Sequence, residues 1–121
     1  LTKKQLQFME DIMSKTLEFT YEGTPYTLEY TRKSVEIMER QGFDATKIES
    51  KPMTCLPALF RGAFMAHHNK VKPEKIDEIY SKMTNKTELI GKLSEMYSEP
   101  ILTLVEEPDD DEGNIEWGAS F

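Results

Sequence analysis

Between Thr16 and Tyr30 the chain takes on a period of two. Thr16-Leu17-Glu18-Phe19-Thr20-Tyr21 and Tyr26-Thr27-Leu28-Glu29-Tyr30 are β-branched and aromatic runs separated by Glu22-Gly23-Thr24-Pro25, the pattern of a β-hairpin. Leu17, Phe19 and Tyr21 share one face, and Tyr26, Leu28 and Tyr30 share one face of the second strand. Two strands alone are marginal in water, so this apolar face must be covered by other elements. The remaining apolar positions recur at helical spacing, so helices have to supply the cover.

Upstream, Leu6, Met9, Ile12 and Met13 lie at helical spacing, with Thr2 and Gln5 as a capping box, which predicts an N-terminal helical extension over residues 1–14. Downstream, Thr31 caps a helix running through Val35, Met38 and Glu39 to Arg40. Gly42 falls at the left-handed position after its end, with Phe43 as the hydrophobic follower. A polar link, Asp44 to Lys51, leads to a central helix over Thr54 to His67. It carries Leu56, Leu59, Phe60, Ala63 and Phe64 on one stripe, and Pro57 is placed in its first turn.

Another helix starts near Pro73 and Glu74, with Ile76, Ile79, Tyr80 and Met83 on one face. The last opens with Asn85 as cap and Glu88 as capping-box acid, then Leu89, Ile90, Leu93, Met96 and Tyr97. Pro100 is expected to end or kink it, leaving Ile101 to Val105 as a short extra turn. The predicted fold is mainly α: an N-terminal β-hairpin followed by a small bundle of three to four short helices, forming one globular domain over residues 15–105.

Charge separates this body from the C-terminal segment. The chain has 15 basic and 22 acidic residues, a net charge of −7. Seven of the acids, Glu106, Glu107, Asp109, Asp110, Asp111, Glu112 and Glu116, fall in residues 106–121, which contain no base. Residues 1–105 are therefore neutral, and 106–121 read as a disordered acidic tail that repels itself and has little to bury. Cys55 has no partner for an internal disulfide, which with seven methionines fits a reducing, cytosolic compartment. The uncharged run Pro52 to Phe60 is far shorter than the roughly 20 apolar residues of a membrane span.

The residues carry no signature of catalysis. His67 and His68 are adjacent, so on a helix they point about 100° apart and do not form an i, i+4 metal pair. Cys55 stands too far from His67 along a shared helix for a thiol–imidazole pair. Asp109, Asp111 and Gly113 resemble part of a calcium loop, but Gly113 occupies a ligand position and no glutamate stands at the twelfth. Without a phosphate loop or nucleophile elbow the chain is read as non-enzymatic, with no metal and no cofactor. Lys70, Lys72 and Lys75 are the nearest approach to a basic footprint and read as a solvated face, so no nucleic-acid partner is expected.

Partner binding remains. Ile115, Trp117 and Phe121 alternate with small or acidic residues after a charged spacer, and three readings stay open for them: folding back on the body, docking on a partner, or a passive chain end. With Leu56, Phe60 and Phe64 of the central helix, they are the candidate partner-binding residues.

In the order and wording of three stretches the chain resembles the small tail assembly chaperones of long-tailed bacteriophages of Gram-positive hosts. The stretches are Leu17 to Phe43 (LEFTYEGTPYTLEYTRKSVEIMERQGF), Leu56 to His68 (LPALFRGAFMAHH), and Val71 to Tyr80 (VKPEKIDEIY) followed by Leu89 to Tyr97. The resemblance covers about residues 15–100 and includes no catalytic motif. It implies a protein that binds the long helical tape-measure protein, keeps it soluble and helps tail-tube subunits polymerise around it. It also implies a place in the host bacterial cytoplasm and outside the mature virion, and in many relatives a frameshifted longer product. Homo-oligomerisation stays open. The alternative is an inhibitory or antitoxin-like protein whose acidic tail neutralises a basic partner.

Overall fold

Strands β1 (Leu17–Tyr21) and β2 (Thr24–Leu28) pair antiparallel, with Leu17 opposite Leu28 and Phe19 opposite Tyr26. These are the coordinates of a computed structural model, which describes residues 15–107 and 113–121. The helix expected over residues 1–14 and the acids Asp109 to Glu112 lie outside them.

The hairpin turn is shorter than the sequence pattern predicts. It consists of Glu22 and Gly23 alone, both left-handed at φ 50° and 79°, the turn whose twist matches that of the flanking strands. Thr24 and Pro25 belong to β2, and the register explains how a proline fits there. Tyr21 and Thr24 close a two-residue hairpin as a hydrogen-bonded pair, so alternation makes Thr20 and Pro25 a non-hydrogen-bonded pair. An N–H at position 25 would point away from β1, and its absence removes no ladder bond.

Helix α1 (Arg32–Arg40) begins as expected. The Thr31 hydroxyl accepts the Ser34 N–H at 3.0 Å, and the Ser34 hydroxyl accepts the Thr31 N–H at 2.8 Å. It also ends as expected: Gly42 takes φ 95°, its N–H reaches the Glu39 carbonyl at 3.0 Å, and the Phe43 N–H reaches Met38 at 2.9 Å. These two bonds satisfy carbonyls that the last turn leaves open. A 3₁₀ turn, Ala45–Lys47, follows.

The central helix differs from its predicted span. Helix α2 runs from Pro52 to Gly62, two residues earlier at the start and five shorter at the end than expected. Pro52 takes the first helical position, so Pro57 sits in the second turn and not the first. The Met53 carbonyl thereby loses its helical donor on the solvent side, where Met53 is 89% exposed. After Gly62 the chain tightens into turns, with Ala63, Phe64 and Met65 donating to Phe60, Arg61 and Gly62.

Helix α3 (Pro73–Lys82) matches its predicted face, with Ile76 and Ile79 buried. Helix α4 (Lys86–Thr103) is not ended by Pro100 but continues through it, taking in part of the predicted extra turn. Its entry is also corrected. Asn85 is left-handed at φ 50° and makes no side-chain cap; its side-chain amide donates instead to Glu88 Oε2 at 2.5 Å.

Residues 15–104 make one unit in which α2 packs against α1, α3 and α4. Rings connect the layers: Phe19 stacks on Tyr26 at 5.3 Å, Phe64 meets Tyr26 edge-on at 5.8 Å and Phe60 at 5.2 Å, and Phe60 meets Tyr80 at 5.1 Å. The Tyr30 hydroxyl donates to the buried Leu59 carbonyl at 2.6 Å, and the Arg32 guanidinium closes the end of α4 on Thr103 Oγ1 and O, both at 2.7 Å. In the second unit, Glu106, Glu107 and Gly113–Phe121 adopt neither helix nor strand.

Candidate functional site

One partly apolar recess of the body lies between α1 and α2. Gly62 and Met38 meet where the two helices cross, and a Cβ at position 62 would run into Met38 Sδ and Cε. This close approach leaves a cleft of about 200 Å³ beside it, with Cys55 on the floor and Phe43, Ala58 and Met65 on the walls. Cys55 is 6% exposed, and its Sγ stands 3.9 Å from the Asp44 carbonyl, a weak contact that leaves it a small core residue. The cleft has the size of one large side chain and contains two thioethers, whose unbranched chains adapt to different guests.

A second cleft, of about 210 Å³, lies between α2 and α3 over Phe60 and Tyr80. Its mouth is crossed by Arg61, which grips Asp77 with Nε at 2.9 Å and a terminal nitrogen at 2.5 Å. Asp77, followed by Glu74, holds the Arg61 guanidinium in its charged form. Arg61 lines both clefts, and the first also has Gln41 and Thr54 beside its apolar residues.

The candidate residues read from the sequence divide. Phe60 and Phe64 are each 1% exposed and form the core under the hairpin, so they are not a docking surface in this conformation. Leu56 is half-buried on α2. Ile115, Trp117 and Phe121 are 89%, 85% and 111% exposed. Sequence reasoning missed Met38, Phe43, Ala58, Gly62 and Met65 as members of one site. The only sequence signals for them are the small residues Ala58 and Gly62 one turn apart on a helix, which permit close approach.

The two histidines do separate jobs. His68 Nε2 accepts the Thr27 N–H at 2.9 Å, which assigns its proton to the other ring nitrogen. His67 Nε2 lies 2.6 Å from Glu29 Oε1. Among the described residues no group of three or more His, Cys, Asp or Glu side chains is arranged to hold a metal ion.

Lys75 belongs to a polar cluster that pins the hairpin tip to α3. Its ammonium lies 3.0 Å from Glu78 and 3.1 Å from Glu22, and 5.0 Å from the centre of the Tyr21 ring. The Tyr21 hydroxyl donates to Glu78 at 2.8 Å. That bond, ahead of burial, pushes the Tyr21 phenol up to about 12, and Tyr21 followed by Lys75 holds the Glu78 carboxyl below the usual range. Glu78 and then Glu22 raise Lys75 in turn. No helix among the described residues is long and apolar enough to cross a membrane.

Among the described residues the body is a hairpin followed by four helices, with a cleft between α1 and α2, and the C-terminal segment bears exposed Ile115, Trp117 and Phe121. The chain belongs to the DUF5055 family, described as a domain of unknown function, whose profile matches residues 13–121. The match includes the C-terminal segment with Ile115, Trp117 and Phe121, so that segment is part of the family's domain. Neither the curated proteins nor the solved structures yield a match to this chain.

Proposed function

We propose that this protein is a tail-assembly-chaperone-type binding protein that holds a long amphipathic helix, the tape-measure protein of a phage tail, in soluble form and promotes tail-tube polymerisation around it. The α1–α2 cleft is the observation that carries the reading. Its apolar floor and its two methionines, Met38 and Met65, suit one anchor residue of a helix laid across α2. The neutral body has no net charge to steer a highly charged ligand, so recognition rests on apolar fit. The resemblance over residues 15–100 supplies the identity of the partner. The protein acts in the host cytoplasm and carries out no catalysis itself.

The test is co-expression with the tape-measure protein from the same genome. The reading expects that protein to become soluble and to co-purify with the full chain. An insoluble tape-measure protein with no co-purification contradicts it. Retained binding after removal of residues 106–121 separates this reading from an inhibitor that acts through its acidic tail.

A further inference from the structure

The two edges of the hairpin are treated differently. On β2 the outward-facing donors are closed: Pro25 has no N–H, the Thr27 N–H goes to His68 at 2.9 Å, and just beyond the strand the Glu29 N–H goes to the Ala63 carbonyl at 3.1 Å. On β1 the register turns the N–H and C=O groups of Glu18 and Thr20 outward, and among the described residues neither has a hydrogen-bonded partner besides the ladder. That edge contains no proline, lysine or bulge, and Glu18 is its one charged side chain. Its inner face is also under-covered: Leu17, Phe19 and Tyr21 are half-buried, whereas the facing Tyr26 and Leu28 of β2 are buried.

The chain carries a segment with the matching pattern. Ile115, Trp117, Ala119 and Phe121 alternate with Glu116, Gly118 and Ser120, a period of two over seven residues. The three large side chains are at least 85% exposed. Added beside β1, such a strand would place Ile115, Trp117 and Phe121 on the side of Leu17, Phe19 and Tyr21, and Glu116 and Ser120 on the side of Glu18 and Thr20.

We infer that residues 115–121 of a second copy of this chain add to the open edge of β1 as a third strand, and that the exchange is reciprocal. The area argument favours reciprocity. Ile115, Trp117 and Phe121 cover on the order of 500 Å², so one strand with the surface it covers buries about 1,000 Å², below the range of stable interfaces. Two strands exchanged about a twofold axis bury about 2,000 Å², within it. No residue of the α1–α2 cleft takes part, so the inference stands apart from the proposed function.

The experiment is light scattering of the full chain across a concentration series, with amide hydrogen exchange at Glu18 and Thr20. Two variants accompany it. Thr20→Pro blocks the edge by the same device that Pro25 supplies on β2 and removes no ladder bond; Trp117→Asp leaves the body untouched. The expected result is a dimer in which both amides are protected, a mass halved in both variants, and protection at Glu18 lost in each. A wild-type chain that is monomeric throughout, protected amides or not, overturns the inference. So does a dimer that survives both variants, or a species larger than two chains.

Discussion

The Thr27 amide donates to His68 Nε2 at 2.9 Å across 41 residues of sequence. Through it, the turn that ends α2 becomes the wall of the β-hairpin, and it satisfies a strand donor that would otherwise face a partly buried space. His68→Ala leaves that amide without its acceptor and is expected to cost about 1–3 kcal/mol, read as a lower urea midpoint with an unchanged slope. A variant as stable as the parent would show that the imidazole is not needed there.

The crossing of α1 and α2 gives a coupled prediction. Gly62→Ala forces Met38 aside, at a cost of about 1–3 kcal/mol from overpacking. With Met38→Ala already in place the obstruction is gone, and Gly62→Ala becomes neutral or gains up to about 1 kcal/mol of helix propensity. A double-mutant cycle in urea therefore gives a coupling of opposite sign to the single Gly62 effect. Additive values would place the two residues out of contact.

At the hairpin tip, Gly23→Ala puts a Cβ on a left-handed residue at φ 79° and costs about 1–2 kcal/mol. Glu22 is left-handed as well, which asparagine tolerates better. Glu22→Asn gives up only a solvent-exposed ion pair with Lys75, which contributes little, and so leaves stability unchanged or slightly raised. Thermal unfolding of both variants checks the order.

The Tyr21–Glu78–Lys75 cluster fixes two pH windows. Tyr21 is raised, so its contribution is complete below the ordinary phenol value of 10.0 and is lost as pH climbs through about 12. Glu78 is lowered, so its contribution is present above the ordinary carboxylate value of 4.5 and is lost as pH falls through the depressed one. Phenolate absorbance of the wild type minus that of Tyr21→Phe should titrate near 12, and Glu78→Gln should move it towards 10. Titration near 10 in the wild type would mean that the bond to Glu78 is not formed.

Local signals carried the parts of the fold that local chemistry decides. Thr31, Gly42 and Phe43 marked both ends of α1, because a cap and a left-handed terminus require particular residue types. Ile76 and Ile79 marked the buried face of α3 for the same kind of reason. Pro25 misled because proline usually marks a turn, and only the pairing register shows that its missing N–H faces outward. The stripe from Leu59 to Phe64 stayed apolar past Gly62, so the end of α2 was hidden: a tight turn can bury the same residues that a helix would. Phe60 and Phe64 looked like a docking surface because core and surface anchors share one composition. The cleft depends on Gly62 meeting Met38 from another helix, which no one-dimensional pattern records.

The central claim is that the α1–α2 cleft receives the partner. Ala58 lies on its wall, so Ala58→Trp fills the recess from the rim and leaves the core rings in place. The direct measurement is the soluble yield of co-expressed tape-measure protein with wild-type and Ala58→Trp chains of matched unfolding midpoint. The account predicts that the wild type keeps the tape-measure protein soluble and that the variant lowers the yield to the level seen without any chaperone. An undiminished yield with the filled cleft would contradict it.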